Sequence, residues 1–149
     1  MRDRGKLPLM VRLTAVQRAQ RASAEAQLNV ARAAEAAARI AEEEALQGSR
    51  AAERQWLDHV GAPGFSPEYG RALSTRLIGR QEEVETASLH LRNANDVCAA
   101  RQGEWQKQEA RVRLSEASVR RLKRKVERRT DEKGMAELAD RVTYAWSRP

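Results

Sequence analysis

Every seventh residue from Leu77 onward reads Leu77, Val84, Leu91, Cys98, Trp105, Val112, Val119 and Val126, and all eight are apolar. A seven-residue repeat kept over that distance is the mark of a helix with an apolar seam along one side. The row three residues further on is mixed: Arg80, Ala87, Ala94, Arg101, Gln108, Ser115, Leu122 and Arg129. The seam is therefore one-sided, and it needs a second helix to cover it. Composition agrees with this reading. Aromatics supply only 4% of the chain and charged residues 33%, so there are too few large side chains to fill a thick globular core. Abundant Ala, Glu, Arg and Gln instead favour long helices, because these side chains lose little freedom there.

The partner helix lies on the other side of a corner. Gly and Pro concentrate in "VGAPGFSPEYG", from Val60 to Gly70. Gly61 reads as a helix C-cap, and Ser66 before Pro67 reads as an N-cap with proline at the first helical position. Upstream, the expected rows are Leu9, Val16, Ser23, Val30 and Ala37, with Ala19, Ala26, Ala33 and Ile40 beside them. That pattern is expected to fail near Glu44 and to resume with shifted phase at Leu46, Trp56, Leu57 and Val60. The fold predicted is all-α, a single coiled-coil domain over residues 1–149. Helix 1 covers about 9–60, the turn about 61–67, and helix 2 about 67–146, with a break allowed near 130–134 around Gly134. Folding antiparallel at the corner makes facing positions add to roughly 128, because both helices rise equally per residue. This sets Trp105 against Ser23, Val112 against Val16 and Val119 against Leu9.

That register leaves everything beyond Val119 overhanging, and charge concentrates in the same place. From Arg111 to Arg129 there are nine basic and two acidic residues, whereas the rest of the chain holds 19 of each sign. Arg120, Arg121, Lys123, Arg124, Lys125, Arg128 and Arg129 are expected on the overhang. Leu122, Val126, Met135, Leu138, Val142, Tyr144 and Trp146 are expected as apolar surface without an internal partner.

Catalysis is not expected. His59 and His90 lie far apart, the lone Cys98 has no local histidine, and no phosphate-binding or dinucleotide fingerprint is present. No metal or cofactor is expected, and the run Glu42, Glu43 and Glu44 reads as a solvated face. Cys98 and Trp105 read as core positions. No run of the sequence reaches the ~18 apolar residues of a membrane span, and "LPLMVRLTAV" is cut by Arg12, so the expectation is a soluble protein with at most peripheral membrane association. One cysteine allows no internal disulfide, which fits a reducing cytoplasm. The basic stretch admits three partners: nucleic acid, an anionic membrane surface, or an acid-lined protein groove. Nucleic acid is disfavoured, because aromatics are not interleaved for base stacking.

In length, hairpin architecture, central Pro/Gly corner and basic C-terminal helix, the chain resembles the FliJ family of flagellar type III export stalk proteins and its virulence-secretion relatives. The most specific likeness is Lys133, Met135, Glu137, Leu138 and Ala139, with Ala136 where an acidic residue is usual and Leu138 where an aromatic is common. The resemblance implies a non-enzymatic central stalk whose termini enter a hexameric export ATPase. It further implies contact with a membrane export gate, handling of export chaperones, a monomer when alone, and a cytoplasmic location at the inner membrane. Ring binding would fall to Arg120, Arg121, Arg124, Arg128, Met135, Leu138, Val142, Tyr144 and Trp146, and gate binding to Leu73, Leu77, Arg80 and Val84. A nucleic-acid-binding or self-associating structural coiled coil is the alternative.

Overall fold

The computed structural model describes residues 2–147, with side chains from residue 5 onward. Two helices account for almost all of it: α1, Arg2–Gly61, and α2, Pro67–Trp146. The helices fold into two compact units, residues 1–24 with 105–149 and residues 25–104. In each unit α1 and α2 pair antiparallel, the all-α hairpin expected from the seam.

Helix α1 begins at Arg2, about a heptad earlier than the expected start near residue 9, and runs through Pro8. Proline removes one backbone donor and crowds the preceding turn. Leu7 and Met10, both half-buried on the seam, hold the helix together on either side of it. Helix α2 runs without a break through Gly134, where a Cβ would meet nothing within 4 Å.

The expected seam of α2 is the observed one. All eight residues of the row from Leu77 to Val126 are buried or half-buried, and Val112 is 1% exposed. The phase of α1 differs from expectation. The residues turned inward are Leu7, Thr14, Arg21, Leu28, Glu35, Glu42, Ser49 and Trp56, with Met10, Gln17, Ala24, Ala31, Ala38, Ala45, Ala52 and His59. Leu9, Val16, Val30 and Ile40, expected inside, are 54–71% exposed. The break expected at Glu44 does not occur, since the same two rows continue to His59. The physical reason lies in what the inner rows carry. Besides Leu7, Met10, Leu28 and Trp56 they carry alanines and the polar Thr14, Gln17, Arg21, Glu35, Glu42, Ser49 and His59, whereas the outer row carries Leu9, Val16, Val30 and Ile40, so apolarity alone selects the wrong face.

Polar pairs hold the register. In the first unit Thr14 Oγ1 lies 2.6 Å from Ser115 Oγ, with both residues buried. Arg18 donates from Nε and Nη2 to Glu116, and Arg21 reaches Glu109 at 3.2 Å. In the second unit Arg32 donates to Gln102, Arg101 to Gln27 and Ser88 to Glu42. Facing pairs such as Thr14 and Ser115, or His59 and Gly70, have residue numbers that add to 129. The hairpin register of about 128 is therefore nearly right, while the facing residues are not those expected. Trp105 comes level with Ala24 instead of Ser23, so a large ring still meets a small residue.

The corner belongs to the second unit. Gly64, at φ +98°, supplies the left-handed residue that Gly61 was expected to supply. The Ser66 hydroxyl accepts from the Tyr69 amide at 3.4 Å, a weak N-cap ahead of Pro67. His59 fastens the turn. Its Nε2 sits 3.1 Å from the Ser66 carbonyl, and its ring lies between Phe65 and the edge of Tyr69, at centroid distances of 5.3 and 4.7 Å. A Cβ on Gly70 would meet the Phe65 ring at 3.1 Å, so only glycine lets the ring close over the corner without displacement.

Candidate docking face

In the first unit, the last half-buried α2 residues among those described are Leu122 and Val126. From Glu127 to Ser147 every residue is exposed. The overhang thus begins about seven residues later than expected, because α1 starts that much earlier. Leu122 and Val126 belong to the seam and are not unpartnered surface. Lys6, Leu9 and Met10 lie along Ser118, Arg121, Leu122 and Lys125, around a groove of about 490 Å³.

The distribution of charge also differs from expectation. The exposed stretch 127–147 holds four basic residues, Arg128, Arg129, Lys133 and Arg141, against five acidic ones. The overhang itself is therefore not cationic. Positive charge collects around 120–129, with five of its seven cations, Arg120 to Lys125, before the overhang begins, and α1 adds to it with Lys6 and Arg12. Counted whole, the first unit carries 19 Lys and Arg against 8 Asp and Glu, and the second unit 9 against 13.

What unites the expected docking residues is their face. Every seventh residue from Arg121 gives Arg121, Arg128, Met135 and Val142, and the row three further on gives Arg124, Asp131, Leu138 and Ala145. All eight are exposed. These rows are offset by two residues from the inner seam, a rotation of about 200° around the helix. They therefore form a second, outer seam of α2, and Arg121 at its start also borders the groove shared with Lys6, Leu9 and Met10 of α1. Six of the nine residues expected to dock lie on it: Arg121, Arg124, Arg128, Met135, Leu138 and Val142. Met135, Leu138 and Val142 are 69, 57 and 55% exposed. Among the described residues Arg121, Arg124 and Arg128 form no ion pair. Planar guanidinium groups at this spacing suit carboxylates on a facing helix, and the apolar residues that follow suit a groove.

The other three expected docking residues lie elsewhere. Arg120 lines a hollow of about 310 Å³ with Val11, Thr14, Arg18, Glu116 and Val119. Tyr144 and Trp146 are exposed but off the outer rows. Sequence reasoning missed the alignment of Arg121 and Arg124 on one face with the apolar residues about three to six turns further on. The signal was present as a second 3–4 spacing, hidden by the stronger inner one.

The four residues assigned to a gate contact lie on the inner seam of the second unit. Leu73 is buried, and Leu77, Arg80 and Val84 are half-buried. Arg80 passes beside Gly48 and pairs with Glu83 at 2.8 Å. A partner reaching these four would have to displace α1.

Among the described residues two titratable groups depart from their ordinary values. The hydrogen bond from Arg18 holds the Glu116 carboxyl below the usual carboxylate range, aided by the charges of Arg18, Arg120 and Arg21. Hydrogen bonding to Glu35, with burial and the Glu35 charge, pushes the Cys98 thiol up, which opposes thiolate formation. Among the described residues no group of three His, Cys, Asp or Glu is placed to hold a metal ion, and no helix is long and apolar enough to cross a membrane.

Comparison with protein-family models, with curated proteins and with solved structures found no match to this chain.

Proposed function

We propose that this chain is a non-catalytic central-stalk protein of a flagellar type III export apparatus, acting by docking the outer seam of α2 into a hexameric export ATPase. The observation that supports this reading is the free 3–4 row from Arg121 to Val142, cationic at one end and apolar at the other. A helix enters an acid-lined ring by exchanging hydrated arginines for facing carboxylates and by burying a methionine, leucine and valine stripe. A nucleic acid backbone would use the three arginines and leave Met135, Leu138 and Val142 in water, so a protein groove fits more of the face. Coupling to a membrane export gate and handling of export chaperones belong to the same proposal. So does a cytoplasmic place at the inner membrane, held through those partners.

The test is binding to the purified export ATPase. Removing 135–149 takes away no buried residue among the described residues, so helical pairing should survive while binding is lost. Reversing Arg121, Arg124 and Arg128 to Glu should weaken binding comparably. Undiminished binding by either variant refutes docking through this face.

A further inference from the structure

The second unit carries a surface that the proposed function does not use. A two-helix coil ordinarily shields its seam on both flanks with long side chains. Here one flank of α1 carries Arg32 and Arg39, which reach Gln102 and Glu35. The other flank carries Ala34, Ala41 and Gly48. Arg80 passes beside Gly48, and around Ala41 that side opens as a groove of about 840 Å³. It is lined by Ala37, Ala38, Ala41 and Ala45 of α1 and, on α2, by residues that include Glu82 and Glu83. Glu83 shares Arg80, whereas Glu82 forms no ion pair among the described residues.

We infer that this groove receives the arginine row of a second copy of the chain, Arg121, Arg124 and Arg128. The spacing of those arginines, i, i+3 and i+7, is the spacing of Ala38, Ala41 and Ala45 beneath them. Arginine stems lie well on alanine, and their guanidinium groups then reach the carboxylates of Glu82 and Glu83. Opposite charge on the two units favours the encounter, 19 cations against 8 anions on one and 9 against 13 on the other. The contact joins unlike surfaces, so one copy can both give and receive it. It also competes with docking to the ATPase, because both use the same arginines. The inference rests on the outer seam described above, but its groove does not belong to that reading.

Sedimentation of the full chain tests it. At low salt the mass should rise above 16.8 kDa with concentration and return to it as salt is added. Glu82→Lys with Glu83→Lys should weaken association about tenfold, as should Arg124→Glu with Arg128→Glu. Combining the four reversals should restore it. Ala41→Gln, which fills the groove without changing charge, should weaken it too. Circular dichroism should show unchanged helix throughout. A monomer at every concentration overturns the inference, as does association indifferent to the Glu82 and Glu83 reversals or a combined variant that stays monomeric. The Glu82 and Glu83 reversals leave ATPase docking untouched, so failure here is separable from failure of the proposed function.

Discussion

Replacing Thr14 and Ser115 by cysteine, in a Cys98→Ala background, should crosslink the chain to itself. The two hydroxyl oxygens are 2.6 Å apart and buried, so two sulfurs placed there need little movement to bond. The bridged positions are 101 residues apart. Closing a loop of that size removes roughly 4.7 kcal/mol of unfolded-chain entropy in the simple chain model. Against this stands the lost Thr14–Ser115 hydrogen bond and the one from Thr14 to the Met10 carbonyl, about 1 kcal/mol each. The net gain is about 3 kcal/mol, which for a chain of this size raises the melting temperature by roughly 10 °C. A thermal melt with and without reductant measures it, and non-reducing electrophoresis with mass spectrometry identifies the bridge. The control is Val16→Cys with Val112→Cys, the pair that apolarity alone would choose. Val16 is 54% exposed on the outer face, so that pair should stay reduced. Efficient bridging of Val16 and Val112, with none between Thr14 and Ser115, would refute the inner rows assigned to α1.

Three smaller perturbations probe the same seam. Arg18→Met removes the donor that depresses the Glu116 pKa, so the carboxyl should titrate at higher pH in an NMR titration. Because the folded value lies below the unfolded one, the stabilisation this group contributes is present above its ordinary pKa and lost as pH falls through the folded value. The variant should therefore lose part of its acid sensitivity. Glu35→Gln takes away the main cause of the raised Cys98 pKa, and alkylation of that thiol at pH 8 should become faster. Trp105→Phe deletes a buried ring N–H that has no partner among the described residues, and should stabilise by up to about 1 kcal/mol in urea unfolding.

How much of this was legible beforehand differs between the helices. The α2 seam could be read in full, because Leu77 to Val126 are apolar at every seventh position and no competing row matches them. The corner was legible as well, since Ser66–Pro67 announces a helix start by its own chemistry, although the left-handed glycine proved to be Gly64. The α1 face was not legible. Its inner rows hold Thr14, Gln17, Arg21, Glu35 and Glu42, and nothing local marks a threonine as buried until Ser115 stands opposite it. The docking residues were named one by one from charge and apolarity. That six of them share a face depends on the phase of an unbroken helix from the seam through Gly134.

The sequence by itself determined that this chain makes two long helices turned back at residues 62–66, because helix propensity, capping and a seven-residue repeat are local properties. Tertiary structure decided which side of α1 is inside. It also decided where α1 ceases to cover α2 and which surfaces stay open: the outer arginine-to-valine row and the alanine groove. Those outcomes depend on pairing between residues as far apart as Thr14 and Ser115. A hydroxyl or carboxylate is costly to bury alone and inexpensive to bury with its partner, and only the fold brings the partner to it.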